Sequence, residues 1–268
     1  MKSTIFPAVL LLSASLSSTS LLAASPRKGV GEYTQPHGAQ VLAGLKVSWY
    51  YDWKPRPDVS GAPADVQFIP MIWGPRNLNE ADLEAAKASG AGIVVAFNEP
   101  NESSQSNMTV EQALDAWPKL EALGMRLGSP AVGTGDDVKP DGWLARFMTG
   151  AKERGYRVDF LCLHPYQSSS DPEVATRDLV RELTEMHERY HLPIWVTEYA
   201  IANWGARPNT PDAATEAKFA RESTAAMDKL PFVERYAWYG AVADQPNFST
   251  NEDNGKQTPV GKAWSEAH

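Results

Sequence analysis

Residues Ile93-Val94-Val95-Ala96-Phe97-Asn98-Glu99-Pro100 form an apolar run that ends abruptly in polar residues. The run is apolar throughout, without alternation, which is typical of a strand buried on both faces of a parallel sheet. Residues Ile194-Trp195-Val196-Thr197-Glu198 repeat this form, again with a glutamate directly after the apolar run. Both stretches predict buried parallel strands with a carboxylate at the carboxyl end.

Similar short apolar runs occur along the chain, separated by amphipathic segments. The strand candidates are 45–50, 66–72, 93–97, 126–129, 160–164, 194–197 and 235–239. Helices are predicted to begin after Asn79 and Thr109, because both residues are good N-caps and Thr109-Val110-Glu111-Gln112 has the form of a capping box. Strands alternating with helices predict βα units.

Two α/β architectures fit this pattern, a (β/α)8 TIM barrel with one strand unrecognised and a doubly wound open sheet. The chain has no Gly-x-Gly-x-x-Gly after its first strand candidate and no Walker motif, so the open sheet lacks its usual nucleotide-binding signature. We therefore predict a compact, single-domain TIM barrel of the α/β class.

The composition indicates a soluble globular protein. The chain has 268 residues, 25 basic and 33 acidic, and a formal charge of −8, which argues against a nucleic-acid partner. The single cysteine, Cys162, lies in an apolar run and is predicted to be buried and inert, with a catalytic thiol as the alternative. We expect a monomer that has no membrane or nucleic-acid partner.

The first 24 residues have the layout of a secretory signal peptide. Lys2 supplies a positively charged n-region, residues 5–22 form an apolar, serine-rich h-region, and Leu22-Ala23-Ala24 has the small residues of a cleavage site. A membrane anchor is the alternative, but the serines interrupt the apolar run. We expect residues 1–24 to be removed, 25–43 to form an N-terminal segment and 44–268 to form the barrel. The protein is expected to be secreted, either free or associated with a cell wall.

Glu99 and Glu198 are the informative polar residues, because ligands of α/β proteins meet the carboxyl ends of the strands. In a closed barrel the two glutamates would face each other across the mouth, whereas either one alone could be an N-cap or an ion-pair partner. Two facing carboxylates are what glycosidic hydrolysis requires, since one protonates the leaving oxygen while the other attacks or activates water.

The chain resembles clan A of the glycoside hydrolases, in which Asn-Glu-Pro closes the fourth barrel strand and a second glutamate closes the seventh. Over residues 44–264 it resembles glycoside hydrolase family 128, the β-1,3-glucanases with an alkali-sensitive-linkage-like domain. The matching segments are 47–53, 68–74, 97–101, 105–108, 128–131, 159–161, 193–200 and 234–238. His164-Pro165-Tyr166 stands where the resemblance leads us to expect His-Trp-Tyr, so one aromatic residue is absent there.

The resemblance implies a retaining double displacement with Glu99 as general acid/base and Glu198 as nucleophile, without a metal or other cofactor. It further implies that Asn98 donates to the sugar 2-hydroxyl, a contact that strengthens in the transition state. Tyr166 would hydrogen-bond Glu198 or, alternatively, lie on the barrel rim. His164 would be either a sugar contact or a structural histidine.

Nine tryptophans occur in the chain, and aromatic planes suit the C–H faces of pyranoses. Five of them lie at or just past predicted strand ends: Trp49, Trp53, Trp73, Trp204 and Trp238. The other four, Trp117, Trp143, Trp195 and Trp264, are expected to be packed in the interior. Tyr50 and Tyr51 would point to opposite faces of a strand, so only one of them reaches the cleft.

We therefore predict a hydrolase of β-1,3-glucan that uses Glu99 and Glu198. The expected substrate-binding residues are Asn98, Tyr50, Trp49, Trp73, His164, Tyr166, Trp204 and Trp238. Two alternatives remain, a non-catalytic β-glucan-binding protein on the same fold and a glycosidase acting on another cell-wall polysaccharide. The sequence leaves open whether cleavage is endo or exo.

Overall fold

The computed structural model describes residues 25–32, 36–205, 208, 210–241 and 247–267. Strands and helices alternate along the chain. The strands are β1 (Lys28–Glu32), β2 (Trp49–Tyr51), β3 (Gln67–Phe68), β4 (Met71–Ile72), β5 (Ile93–Ala96), β6 (Arg126–Leu127), β7 (Leu161–Leu163), β8 (Ile194–Val196) and β9 (Val233–Ala241). The helices are α1 (Gly38–Leu45), α2 (Glu80–Ala88), α3 (Val110–Glu121), α4 (Trp143–Glu153), α5 (Pro172–Tyr190), α6 (Ala213–Met227) and α7 (Pro259–Glu266), with a short 3-10 turn at Pro75–Asn77.

The strands form a TIM-barrel-like ring of parallel pairs. One sheet has the order β3-β2-β1-β9-β8-β7 and a second has the order β4-β5-β6. The two sheets join at Pro70, which separates β3 from β4, and at a single parallel bridge between Gly128 and Phe160. Because β3 and β4 act as one broken strand, the ring has eight strand positions, which confirms the barrel prediction.

The strand that the sequence did not reveal is β1. It pairs in parallel with β2 on one side and with β9 on the other, so it lies in the middle of the larger sheet. Its sequence, Lys-Gly-Val-Gly-Glu, has only one large apolar residue and therefore lacks a strand pattern. The barrel thus begins well before residue 44, inside what the sequence analysis described as an N-terminal segment.

Side chains alternate along each strand between two apolar layers. The layer inside the barrel includes Trp49, Tyr51, Met71, Val95, Phe160, Cys162, Trp195 and Ala237. The layer between the strands and the helices includes Tyr50, Ile72, Val94, Leu161, Val196, Tyr236 and Trp238. Cys162 is buried, and burial raises the pKa of its thiol well above the usual value, which agrees with an inert side chain.

Helix starts follow the predicted caps. The Asn79 side chain accepts from the N–H of Asp82, and Thr109 with Gln112 forms the capping box of α3. Proline opens α5 and α7, where its missing N–H costs nothing. These helices cover the outside of the ring and leave the strand ends to form the site.

The predicted signal peptide, residues 1–24, lies outside the described residues. Among the helices that the structure describes, none is long and apolar enough to cross a membrane.

Candidate active site

A cavity of about 880 Å³ opens at the carboxyl ends of the barrel strands. Its volume is in the range of ordinary ligand sites. The residues that line it are Asp52, Trp53, Lys54, Trp73, Arg76, Asn98, Glu99, Glu102, Ser104, Gln105, Gly133, Thr134, Tyr166, Glu198, Trp204 and Tyr239. Both predicted carboxylates therefore face the same cavity.

Glu99 is held just beyond β5 by the neighbouring strands. The Asn98 N–H donates to the Trp73 carbonyl at 2.8 Å, and the Glu99 N–H donates to the Ala131 carbonyl at 2.7 Å. Glu99 has a φ of 40°, in the left-handed region that few residues with a Cβ adopt. Its side chain is 16% exposed, so the carboxyl can reach a substrate in the cavity.

Glu198 follows β8 and is more deeply placed, with a side chain 6% exposed. The Trp53 indole N–H donates to Oε1 at 2.8 Å, and the Tyr51 hydroxyl lies 3.1 Å from the same oxygen. The Tyr166 hydroxyl donates to Oε2 at 2.8 Å. These donors fix the carboxylate plane and favour its charged form.

His164 lies between the two glutamates and is fully buried. Its Nδ1 is 3.0 Å from Glu99 Oε1, and its Nε2 is 3.6 Å from Glu198 Oε1. A single imidazole therefore bridges both carboxyl groups from below the cavity. The position makes His164 a support for the acidic pair, because its ring nitrogens are directed at carboxyl oxygens instead of at the cavity.

The distance between the acidic pair is short. One oxygen of Glu99, one of Glu198 and a ring nitrogen of His164 lie within 4.8 Å of one another. Three such atoms could ligate a cation, but each carboxyl oxygen of Glu198 already accepts from a protein donor and His164 Nδ1 already bonds Glu99. Hydrogen bonding within the protein thus accounts for the arrangement.

Burial sets the electrostatics of the pair. Burial raises the pKa of Glu198 above its usual value and Glu99 adds to this, whereas the charge of His164 and the donors oppose it. Burial disfavours charge on His164, but the Glu198 and Glu99 carboxylates outweigh it and raise the pKa of the imidazole. Burial, and then Glu198, raise the pKa of Tyr166 well above its usual value. Its hydroxyl therefore stays protonated near neutral pH and can donate a hydrogen bond.

The remaining lining residues suit a carbohydrate. Asn98 Nδ2 donates to Gln105 Oε1 at 3.2 Å, while Asn98 Oδ1 has no hydrogen-bond partner in the described part of the chain. The Arg76 guanidinium lies 4.0 Å from the centre of the Trp73 ring and covers one of its faces. Trp204 is 43% exposed and packs edge-on against Tyr166. Two aromatic surfaces are therefore available at the mouth.

Four of the expected substrate contacts do not line the cavity: His164, which supports the acidic pair, and three aromatic residues. Trp49 faces the barrel interior but lies too deep, where its indole N–H donates to the Arg27 carbonyl. Tyr50 points outward and packs on Phe68. Trp238 also points outward, with its N–H bound to the Phe248 carbonyl. The predictions for Trp49, Tyr50 and Trp238 were wrong because strand ends alone do not give side-chain direction or depth.

Their neighbours occupy the site instead. The hydroxyl of Tyr51, one residue after Tyr50, is shared between the Thr197 carbonyl at 2.9 Å and Glu198 Oε1 at 3.1 Å. Tyr239, one residue after Trp238, lines the cavity. Trp53 was considered as a stacking surface, but its indole N–H binds Glu198. Strict alternation along β2 and β9 could have identified the tyrosines if the strand starts had been known.

Comparison with known proteins gives consistent similarities. Residues 30–264 match the family model described as the glycosyl hydrolase catalytic core. The alkali-sensitive linkage protein 1 of Schizosaccharomyces pombe is 26% identical over 208 residues, which are 74% of this chain and 35% of that protein. The chain thus spans about a third of the length of this curated relative.

Two solved structures are similar over nearly the whole chain. One is a glycoside hydrolase family 128 subgroup I endo-β-1,3-glucanase from Amycolatopsis mediterranei, in complex with laminaritriose. It is 41% identical with a TM-score of 0.86, and the match covers 91% of this chain and 100% of that one. The other, a subgroup III curdlan-specific exo-β-1,3-glucanase from Blastomyces gilchristii, is 30% identical with a TM-score of 0.71, covering 91% and 99%.

Proposed function

We propose a reaction for this chain from one premise: the chain belongs to glycoside hydrolase family 128, within the glycosyl hydrolase catalytic core. The proposed activity is hydrolysis of β-1,3-glucan with net retention at the anomeric carbon. The observation that carries it is the pair Glu99 and Glu198, whose oxygens lie within 4.8 Å across a cavity at the strand ends.

In the first step, Glu198 acts as the nucleophile. An ionised Glu198 oxygen attacks the anomeric carbon while the carboxylic acid of Glu99 gives its proton to the leaving glycosidic oxygen. The C–O bond to the leaving glucan breaks as the bond to Glu198 forms. Positive charge on the sugar in the transition state is offset by the Glu198 carboxylate, which Tyr51, Trp53 and Tyr166 hold in place.

In the second step, Glu99 acts as a base. Its carboxylate takes a proton from water, the oxygen of that water attacks the anomeric carbon, and Glu198 leaves as a free carboxylate. Two inversions give retention. The spacing supports this course, because the nearest oxygens of the two carboxyl groups lie within 4.8 Å of each other. That is nearer to the separation of about 5–5.5 Å in retaining enzymes than to the about 6.5–9.5 Å that leaves room for a water in inverting ones.

The substrate is a chain of β-1,3-linked glucose and the cleavage is endo. The 41% identical relative is an endo-β-1,3-glucanase with laminaritriose bound, which supports both points. Trp73 and Trp204 would stack on sugars on either side of the acidic pair, and Asn98 would contact the 2-hydroxyl. An exposed Trp204 extends the binding surface beyond the cavity, as an internal chain segment requires.

Secretion follows from the substrate and from the predicted signal peptide of residues 1–24. The protein would act outside the cell as a monomer, either free or in contact with a cell wall.

The test is product analysis with laminarihexaose. Wild type should release β-anomers first, seen by proton NMR before mutarotation, and should yield mid-length oligosaccharides. Glu198→Gln and Glu99→Gln should each lose at least about a thousandfold in kcat/KM, while Glu84→Gln on the outer face of α2 should not change it. Binding without cleavage would instead indicate a glucan-binding protein, and preferential cleavage of cellohexaose would indicate a different polysaccharide.

A further inference from the structure

A strained residue lies beside the nucleophile in the segment that follows β2. Trp53 has a φ of 58°, in the left-handed region that disfavours any residue with a Cβ. Its indole Nε1 nevertheless lies 2.8 Å from Glu198 Oε1. A strained backbone persists only where the surrounding structure determines it, so something must hold Trp53 in this conformation.

Asp52 supplies that restraint. Its Oδ2 accepts a hydrogen bond from the main-chain N–H of Asp58 at 2.8 Å, which ties the two ends of the 52–58 segment together. Trp53 directly follows the aspartate at the start of this closed segment, so the bond limits the backbone conformations that Trp53 can adopt. Asp52 is 3% exposed, which limits competition from water for this bond.

Gly31 of β1, which lacks a side chain, leaves room for the Trp53 ring. A Cβ on Gly31 of β1 would lie 2.8 Å from Trp53 Cη2 and 3.0 Å from Cζ2, so the ring occupies the volume that a larger residue would fill. The rings of Tyr51 and Tyr239 pack against it at centroid distances of 4.8 and 6.0 Å. The backbone turn and the packing both aim the N–H at Glu198.

We propose that Asp52 is a positioning residue for the nucleophile, which ties the 52–58 segment closed and thereby holds Trp53 with its indole N–H on Glu198. Asp52 lies at the edge of the cavity, but its residue is 3% exposed and its Oδ2 is bonded to the Asp58 N–H, so we assign its effect to the position of Trp53. This proposal rests on the proposed function, because it takes Glu198 as the nucleophile.

Charged and titratable groups surround Asp52 on several elements. Burial raises the pKa of Asp52 to about 6, whereas the Asp58 N–H and the Lys54 charge lower it and the Asp58 charge raises it. Burial and Asp52 together raise the pKa of Glu32 to about 9 and that of Tyr50 to about 12, so both remain neutral near pH 7. Asp52 is thus ionised, and is the stronger acceptor, above about pH 6.

The kinetic test is the pH profile of kcat/KM on laminarihexaose. Trp53→Phe removes a donor from the ionised nucleophile, so the acid limb should move to higher pH and kcat/KM should fall about ten- to a hundredfold. Asp52→Ala should do the same, and the double variant should add nothing further, because both changes remove one hydrogen bond. Asp65→Ala, an exposed aspartate in the same connection, is the control.

A graded series keeps the proposal testable if Asp52→Ala does not fold. Asp52→Asn retains a non-titrating acceptor and should stay near the wild-type rate, and Asp52→Ser, with a shorter acceptor, should lie between Asn and Ala. Equal rates across the series, or multiplicative losses in the double variant, would overturn the positioning role.

An NMR measurement separates this proposal from the proposed function, because it needs no turnover. The Trp53 indole N–H, assigned by its absence in Trp53→Phe, should be protected from exchange and should shift as Glu198 titrates. Asp52→Ala should abolish both properties. If wild type does not cleave laminarihexaose yet the indole behaves this way, only the function fails; an unprotected indole in an active wild type refutes the positioning role.

Discussion

Glu198 combines two requirements that oppose each other. Its burial excludes water from the reacting centre but penalises the ionised form that must attack the sugar. The structure offsets this penalty with a donor on each oxygen, Trp53 on Oε1 and Tyr166 on Oε2, and the Tyr51 hydroxyl is shared between Oε1 and the Thr197 carbonyl. Removing any donor should therefore affect the ionisation of the carboxylate as well as its orientation.

Tyr166→Phe should lower kcat/KM about ten- to a hundredfold, the effect of losing one hydrogen bond to a charged group at about 1.5–3 kcal/mol. The acid limb of the pH profile should also move to higher pH, because the pKa of Glu198 rises further when a donor to its ionised form is lost. Initial rates on laminarihexaose between pH 4 and 8 provide the measurement.

Tyr156→Phe is the matched control, since Tyr156 follows the turn at the end of α4 and does not line the cavity. A loss of rate in Tyr166→Phe without any movement of the acid limb would mean that Tyr166 only shapes the cavity.

The sequence identified the reacting residues but not all of their neighbours. Glu99 and Glu198 could be found because each carboxylate closes an apolar run and strand ends converge in this fold. Tyr51 and Tyr239 could not, because the direction of a side chain depends on where the strand begins. A shift of one residue exchanges the barrel interior for the helix layer, and Tyr50 and Trp238 were assigned on the wrong side for that reason.

At the level of elements, β1 shows why a central strand can be invisible in a sequence. Strand propensity favours large residues, but β1 lies where the interior rings of β2 and the segment after it need space. A Cβ on Gly29 would lie 2.2 Å from Trp49 Cε2, and one on Gly31 would lie 2.8 Å from Trp53 Cη2. The rings of Trp49 and Trp53 thus occupy the space where larger side chains of β1 would lie, and without such side chains β1 has no recognisable strand pattern.

The two glycines should respond differently to alanine. Gly29→Ala crowds the fully buried Trp49 and should lower the free energy of unfolding by about 1–3 kcal/mol, with little change in activity per folded molecule. Gly31→Ala pushes against the Trp53 ring at the rim of the cavity, so the indole should move off Glu198 and kcat/KM should fall.

Urea denaturation together with kcat/KM on laminarihexaose distinguishes the two outcomes, since each variant serves as the control for the other. Equal losses of activity in Gly29→Ala and Gly31→Ala, after correction for the folded fraction, would show that the effect is general strain in β1.

For the whole molecule, the distribution of buried carboxyl groups determines how stability varies with pH. Glu32 and Glu216 are fully buried, and Glu182 is hydrogen-bonded to Asp137 inside the α5 side of the barrel. Burial raises the pKa of Glu32, Glu182 and Glu216 to about 9 in each case. These groups stay protonated in the folded protein near pH 7, whereas they ionise near pH 4.5 when the chain unfolds.

The sign of the pH dependence follows from this difference. A carboxyl with a raised pKa in the folded state contributes its full stability below pH 4.5 and loses it as the pH rises toward 9. The imidazole of His164, whose pKa is also raised, acts in the same direction above about pH 6.5. Stability should therefore fall from pH 5 to pH 8. Burial lowers the pKa of Lys28 to about 8, so this lysine acts in the opposite direction only above that window.

We expect the Tm of the protein to be higher at pH 5 than at pH 8 by at least about 8 °C. One group with such a shift contributes about 1.4 kcal/mol per pH unit, or about 4 kcal/mol over this window, and 1 kcal/mol corresponds to about 2–4 °C in a chain of this size. Glu216→Gln should make the Tm less dependent on pH, because glutamine does not titrate. The variant should still fold, because its amide oxygen can accept from the Ile201 N–H as Glu216 Oε2 does at 3.2 Å. Glu84→Gln, which changes an exposed carboxylate, should leave the slope unchanged. Differential scanning calorimetry at pH 5, 6, 7 and 8 measures all three proteins, and a Tm that rises toward pH 8 in wild type would contradict the assignment of neutral buried glutamates.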